Sequence, residues 1–467
     1  MFKETEIKLR ISADTLAALR EHPLVLERQQ TVWQSKPLIN QYFDTPEQSL
    51  AAARVALRLR RDGEQIIQTL KTRGNSVAGL SERNEWDWYL DQMVLDTQVL
   101  QGDYWPEALA DCDRNSLSPL FTTDFERQHC LLSWQRNDEQ VVVDMALDQG
   151  AVITASGEEP ISELELEMRE GNSDALLELA AELATDLPLM PCDISKAERG
   201  YRLLDANSNQ LRPSHPQCSA EVVVDEVIAR TGWTLLGHSQ RLAEQFRFGG
   251  QWRHFRELVV QLHHLRAYFG VFDLALPLSA GQAFVAALDD LLEYLQPLYL
   301  AGWADDAQGQ AARAEAPEIF ARLTNELTWG QLFIGLALWL QQRRWTESRH
   351  PRGERVAALP LERWLLGAVS KEIQALRVPH NNDEDDRVSE WCDQLPRLQR
   401  LHFLLNQFRR QLKVAEADRL FGELSKLQEL LQQVGQVDAS QRDALLATLR
   451  KQGLRIRRLP AWRELNG

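Results

Sequence analysis

Glu4, Glu6, Lys8 and Arg10 stand two residues apart at the start of the chain, with Thr5, Ile7, Leu9 and Ile11 beside them. Side chains of an extended strand alternate between faces, so this spacing gathers two acids and two bases on one side. Such a row can hold a cation at one end and an anion beside it; a strand half exposed to water would show the same pattern. Other stretches repeat it. Arg58 and Arg60 alternate with Leu57 and Leu59, and Thr69, Lys71 and Arg73 oppose Leu70. Arg83, Glu85 and Asp87 alternate with Asn84, Trp86 and Trp88, Glu163, Glu165 and Glu167 with Leu164, Leu166 and Met168, and Asp144 ends the apolar run 141–143.

A charged solvent face explains each stretch singly and the set poorly. Whole strands carry only acids or only bases, and like charges facing across strands are costly unless a counter-ion sits among them. Closing the sheet with its charges inward meets that cost, with metal and polyanion supplying the missing charge. Carboxylates at Glu4, Glu6, Glu163 and Glu165 suit Mg²⁺, or Mn²⁺, which bridges to phosphate oxygens. Lys8, Arg58, Arg60, Lys71 and Arg73 suit a phosphate chain, the arginines through bidentate forks. Hydrolysis in such a tunnel needs in-line attack by an activated water and stabilisation of the leaving oxygen.

The elements that must position these residues follow from the apolar pattern. Strands are expected at Thr5–Ile11, Asn40–Phe43, Val55–Arg61, Gln65–Thr72, Arg83–Tyr89, Phe125–Gln135, Gln140–Leu147 and Ser162–Met168, with a hairpin at Asp62-Gly63-Glu64. Helices are expected at Asp14–Glu21, with Asp14 as N-cap, and at Asp174–Leu183. Residues 205–219, rich in Asn, Ser and Pro, read as a domain boundary. Beyond it, helical spacing recurs over Val222–Gln245, Trp252–Phe269, Ala280–Ala301, Glu318–Trp339, Leu361–Leu376, Val388–Gln411, Asp418–Val434 and Ser440–Gln452. The expectation is an α+β chain: a tunnel domain over 1–202 with flanking helices, a linker over 203–219, and an all-α domain over 220–467 built of two degenerate bundle repeats.

Composition bounds the function. A chain of 467 residues with a formal charge of −16 disfavours broad nucleic-acid binding, which needs cationic surface. Five scattered cysteines without C-x-x-C pairing fit reduced thiols, and no apolar run is long enough to span a membrane. A cytoplasmic protein is expected. The tryptophans read as core rather than a stacking platform.

Glu4-x-Glu6-x-Lys8 resembles the ExExK signature of the CYTH superfamily of triphosphate tunnel metalloenzymes. Tyr42-Phe43-Asp44-Thr45, Arg58-x-Arg60, Thr69-Leu70-Lys71, Arg83-Asn84-Glu85, Glu163-x-Glu165-x-Glu167 and Ser195-Lys196 followed by Arg199-Gly200-Tyr201 resemble its further motifs, in order over 1–202. The resemblance implies an eight-stranded antiparallel tunnel acting on triphosphates with a divalent metal. It implies metal at Glu4, Glu6, Glu163 and Glu165, with Asp144 as a further candidate, phosphate at Lys8, Arg58, Arg60, Lys71, Arg127 and Lys196, to which the charge pattern adds Arg73, and catalysis at Glu4, Glu6, Lys8 and Lys71. Whether Glu167 or an earlier glutamate of the alternating run faces the metal stays open, and Arg10 is expected at the tunnel mouth.

His263-His264-Leu265-Arg266-Ala267 and Leu398-Gln399-Arg400-Leu401-His402-Phe403 more weakly resemble motifs of the CHAD domain, whose cations bind polyphosphate; Arg256 and Cys392 replace its leading histidines. Arg253, Arg256, His263 and Arg266 would share a helix face, implying at most weak polyphosphate binding. The expected activity is hydrolysis of inorganic triphosphate to pyrophosphate and phosphate. The alternatives are a polyphosphate scaffold or sensor without turnover, or the same tunnel acting as adenylate cyclase or thiamine triphosphatase.

Overall fold

The alternating stretches lie on strands as far as they are described, and six of the eight strands run longer than their sequence pattern suggests. The structure, a computed structural model, describes residues 2–72, 74–77, 79–205, 211, 215–379, 388–434 and 439–466. Its long strands are β1 (Phe2–Arg10), β2 (Gln34–Asp44), β3 (Ala56–Asp62), β4 (Gln65–Lys71), β5 (Leu80–Leu90), β6 (Ser118–Arg136), β7 (Glu139–Thr154) and β8 (Gly157–Glu170). They pair antiparallel in the order β1–β8–β7–β6–β2–β3–β4–β5, and β5 pairs back onto β1. The sheet is thereby a closed eight-stranded barrel, which has no free edges.

Closure depends on β1, which carries the first charged row. Its Glu6–Arg10 stretch pairs with β8, and its Phe2–Ile7 stretch pairs with β5. The Lys8 amide donates to the Gly79 carbonyl at 2.9 Å, and the Lys8 carbonyl accepts from the Cys192 amide at 3.0 Å. Gly79 has φ +80°, and a Cβ there would stand 2.6 Å from the Lys8 carbonyl oxygen, so only glycine allows this approach.

The apolar faces point outward and are covered. Ile7, Leu9, Leu164 and Leu166 are fully buried, and helix α1 (Ala13–Glu21) is followed later by α2 (Asp174–Leu183), which packs on β1 and β8 with Leu176, Leu179 and Leu183. Leu57, Leu59 and Leu70 are buried with Leu100, Trp105 and Leu109 of the segment after β5, against which Trp86 and Trp88 also pack. Burying each such leucine contributes about 1.5–3 kcal/mol. The cap of α1 is Ser12, whose Oγ accepts from the Thr15 amide; Asp14 lies within the first turn.

Helix α3 (Lys196–Leu204), capped by Ser195, enters the barrel from one end. Its Ala197 and Tyr201 pack with Leu38, Tyr42, Phe121, Phe125, Val152 and Ile161. Phe125 and Ile161 share the faces of Arg127 and Glu165, so this apolar plug closes the bore at that end. A Cβ on Gly200 would sit 2.2 Å from the Phe121 ring, which is why the helix carries glycine there.

Contacts divide the chain into two compact units, 1–212 with 247–249 and 320–341, and 213–246 with 250–319 and 342–467. The helical stretch expected at Glu318–Trp339 is two helices, Ala307–Leu323 and Leu327–Gln341, and the second falls in the barrel's unit, packed on α2. Val388–Gln411 is likewise broken, into Val388–Cys392 and α5 (Leu395–Phe408), with Pro396 in the first turn of the latter. In the second unit α4 (Trp252–Val271) packs on α5, and α5 on α6 (Ala417–Gln433). The acidic loop 381–387 lies outside the described residues.

Candidate active site

Register brings the charged rows together. Lys8 lies opposite Glu165 and Glu6 opposite Glu167, Lys71 opposite Glu85, and Arg127 opposite Asp148. The bore holds a cavity of about 550 Å³. Its cations are Lys8, Lys36, Arg58, Arg60, Lys71, Arg83, Arg127, Arg169 and Lys196; its acids are Glu4, Glu6, Glu85, Asp87, Asp144, Glu165 and Glu167.

The cations are held by the acids beside them. Lys71 Nζ lies 2.8 and 2.7 Å from the two Glu4 oxygens and 3.1 Å from Glu85. Lys8 Nζ is 3.3 Å from Glu6 and 3.1 Å from Glu165, with both partners nearly excluded from solvent. Arg127 donates to both Asp148 oxygens at 2.7 and 2.6 Å and also to Glu165. Arg58 reaches Glu85 at 3.5 Å, and Arg60 donates to the Asn40 side chain at 2.7 Å.

These contacts shape protonation. Burial acts against the charge of Glu165, yet Lys196, Lys8 and Arg127 together hold its carboxyl well below the usual range. Burial likewise opposes the Lys8 ammonium, and Glu6, Glu165 and Glu163 outweigh it, so its pKa lies well above the ordinary lysine value. Burial together with Arg58 and Arg127 brings Arg60 down to about 10. Glu167 goes the other way. Burial, reinforced by Glu4 and Glu6, pushes its carboxyl up to about 7 despite Arg169. The part of this shift due to Glu4 and Glu6 is like-charge repulsion, which a bound cation would relieve.

Several expected residues stand elsewhere. Glu163 shares the inward face of β8 but does not line the cavity; it is fully buried, its Oε2 accepts from Arg199 at 2.6 Å, and Lys196 contacts its other oxygen. Asp148, Glu163 and Glu165 have ligand atoms within 4.8 Å of one another, a spacing that fits a metal. The Lys196 ammonium stands among these oxygens, 2.7 Å from Asp148 and 2.9 Å from Glu165. Glu167 lines the cavity with Glu4, Glu6, Glu85 and Glu165. Arg10 lies at the plugged end, bound to Glu159 at 3.0 Å, and not at the mouth. Asp44 accepts from the amides of Thr45, Leu50 and Ala51 and from the Tyr201 hydroxyl at 2.8 Å, a purely structural role. Arg73 lies outside the described residues.

Lys36, Arg169 and His129 line the cavity and escaped the sequence reading. Lys36 continues the Asn40–Tyr42 alternation of β2, a strand read as starting four residues later. Arg169 extends the Glu163–Glu167 row and binds Asp144 at 2.8 Å and Glu167 at 2.7 Å. His129 follows Arg127 by two residues and lies 3.3 Å from Asp144.

In the helical unit the expected cationic face is mostly engaged internally. Arg256 stacks 4.0 Å over Trp303, Arg266 binds Asp289 at 2.6 Å, and His263 sits between Gln296 and Gln399. His264 and His402 are buried and form a directional chain. The Asn406 amide donates to His264 Nδ1 at 3.2 Å, so His264 Nε2 carries the proton that bonds His402 Nδ1 at 2.9 Å. His402 Nε2 then donates to Ser425 Oγ at 2.9 Å, and Ser425 donates to the Phe421 carbonyl. Every member works only in its neutral form.

Residues 3–201 match the family model of the CYTH domain. An inorganic triphosphatase of Haemophilus influenzae is 34% identical over 207 residues, covering 44% of this chain and 55% of that protein, so the chain spans about half the length of that relative. Among solved structures, a Hippeastrum protein described as a candidate adenylyl cyclase with a dominant triphosphatase activity aligns at 18% identity and a TM-score of 0.32, over 45% of this chain and 98% of that one. The CHAD domain of the plant Ricinus communis aligns at 14% identity and a TM-score of 0.31, over 55% of this chain and 95% of that one. No described helix is long and apolar enough to cross a membrane.

Proposed function

Residues 3–201 being a CYTH domain, we propose that the barrel hydrolyses inorganic triphosphate to pyrophosphate and phosphate with a divalent cation, Mg²⁺ or Mn²⁺. The observation that carries this reading is the charge lining of a bore closed at one end. Nine cations and seven acids line it, and Asp148 and Glu163 behind the lining hold Arg127 and Lys196, so the charges are near balance and a triphosphate would need a divalent cation to enter with it. The plug formed around Tyr201 and Phe121 stops a long polymer from threading through, which favours a short chain bound end-on.

The donor set fits such a cation. Glu4, Glu6, Glu165, Glu167 and Asp144 offer hard carboxylate oxygens along the cavity. When bound, a divalent cation neutralises phosphate charge and makes a water a competent nucleophile near neutral pH. The chain's own residues do the rest. Lys8, Lys71, Arg58, Arg60, Arg127 and Lys196 would hold and orient the phosphates, and Glu4 and Glu6 with Glu167 would hold the cation. Enclosure in the barrel strengthens each of these contacts by excluding water. Glu167 holds a proton near pH 7 in the metal-free state.

A panel of inorganic triphosphate, ATP, thiamine triphosphate and long polyphosphate, scored for released phosphate and cyclic AMP, tests the reading. ATP and thiamine triphosphate belong in it because Tyr104, 44% exposed and edge-on to Trp86 and Trp88, stands at the cavity and could take an organic group. Release from triphosphate that needs Mg²⁺ and vanishes in Glu6→Ala is the expected result. Tight binding with no release under any metal would leave a polyphosphate scaffold or sensor instead.

A further inference from the structure

Glu159 lies on the inward face of β8, four residues before Glu163 and away from the cavity lining, with only 9% of its surface exposed. Three guanidinium groups converge on it. Arg202 donates through Nε at 3.1 Å and Nη2 at 2.6 Å, Arg10 lies at 3.0 Å, and Arg199 Nε at 3.7 Å. Arg199 and Arg202 follow each other by three residues on α3, the helix that plugs the barrel, and Arg10 ends β1.

Arg199 links this cluster to the cavity. It is fully buried, its Nε and Nη1 have no hydrogen-bond partner among the described residues, so Glu159 reaches it as an ion pair only, and its Nη2 donates to Glu163 at 2.6 Å. Glu163 in turn holds the Lys196 ammonium, whose other partners are Asp148 and Glu165. A continuous line of alternating charge therefore runs from Glu159 through Arg199 and Glu163 to Lys196, which lines the cavity. Removing the Glu159 charge would leave Arg199 with Glu163 as its one close acid. Glu163 would then be drawn toward Arg199 and away from Lys196, since a buried cation cannot stay uncompensated.

We propose that Glu159 is a positioning residue, setting through Arg199 and Glu163 where the Lys196 ammonium stands against a bound phosphate chain. The proposal rests on the reading of the bore as a triphosphate site. A shift of about 1 Å in a positioning group costs up to a hundredfold in rate, so Glu159→Gln should lower kcat/KM for triphosphate by about ten- to a hundredfold. Glu159→Asp, which keeps the charge, should recover most of the loss.

A double-mutant cycle between Glu159→Gln and Lys196→Ala in the full chain decides it, read as kcat/KM with Mg²⁺ and as triphosphate affinity by calorimetry in EDTA. If Glu159 acts through Lys196, the double variant is no worse than Lys196→Ala alone, within about threefold. Effects that multiply, or wild-type values in Glu159→Gln, would overturn the proposal. Should thermal melting show Glu159→Gln unfolded, the cycle is run with Arg199→Lys, which keeps the buried charge but loses the guanidinium reach between Glu159 and Glu163; there additivity refutes and non-additivity supports. A wild-type protein that neither binds nor hydrolyses triphosphate defeats the functional reading and this proposal together, whereas binding with an additive cycle defeats the proposal alone.

Discussion

Replacing Lys8 by methionine keeps most of the side chain's bulk and removes its ammonium. That ammonium now lies 3.3 Å from Glu6 and 3.1 Å from Glu165. Each contact carries about 5 kcal/mol of gross Coulomb attraction at an effective dielectric of about 20. Most of this is offset by desolvation, so the useful quantity is the charge-assisted bond to phosphate, about 1.5–3 kcal/mol net. Triphosphate turnover should therefore lose about ten- to 150-fold in kcat/KM. The two carboxylates lose a competitor at the same time, so the Mg²⁺ concentration giving half-maximal rate should fall. The assay is phosphate release over a grid of triphosphate and Mg²⁺ concentrations, with a melting curve to confirm folding. Wild-type kinetics, or triphosphate and Mg²⁺ requirements that worsen together, would refute the reasoning that one ammonium serves both acids and substrate.

Two further outcomes follow from titratable groups. Glu167 carries a proton below about pH 7, and a metal must displace it, so half-maximal Mg²⁺ should rise by up to about tenfold per pH unit below 7. Glu167→Gln should flatten that dependence, and a wild-type Mg²⁺ requirement constant from pH 6 to 8 would contradict it. In the helical unit, burial lowers His402 to about 4 and His264 well below its ordinary value. The fold then binds fewer protons than the unfolded chain, so this stability is present above about pH 6.5 and lost as pH falls toward 4. For His402 alone the loss is on the order of 3 kcal/mol. His402→Gln keeps one acceptor and one donor in the chain without titrating. Hydrogen exchange of α4 and α5 peptides, corrected for intrinsic rates, should show protection lost at a lower pH in that variant, and an unchanged midpoint would count against the neutral chain.

Much of the site was legible because strand alternation is local. Two residues apart means one face, whatever the strand pairs with, so Glu4, Glu6 and Lys8 could be set beside Arg58, Arg60, Lys71 and Glu165 before any pairing was known. The same locality explains the misplaced residues. Alternation puts Glu163, Glu165 and Glu167 on one face equally and says nothing of depth along the bore. Depth comes from the register of β8 against β1 and from the reach of α3, which gives Glu163 to Arg199 and leaves Glu167 at the cavity. Arg10 moved from the mouth to the plugged end for the same reason. In the helical half, spacing assigned the elements, while their breaks near Thr324 and Asp393 and the pairing of His264 with His402 depend on packing between helices.

By itself, then, the sequence determined which side chains face inward, the signs of charge they bring, and the barrel that such rows require. The tertiary structure alone decided which cation each carboxylate meets: Lys71 for Glu4, Lys196 and Arg127 for Asp148 and Glu165, Lys196 and Arg199 for Glu163. Charge pairing is a matter of distances between residues far apart in the chain, and those distances exist only once the barrel has closed and α3 has entered it.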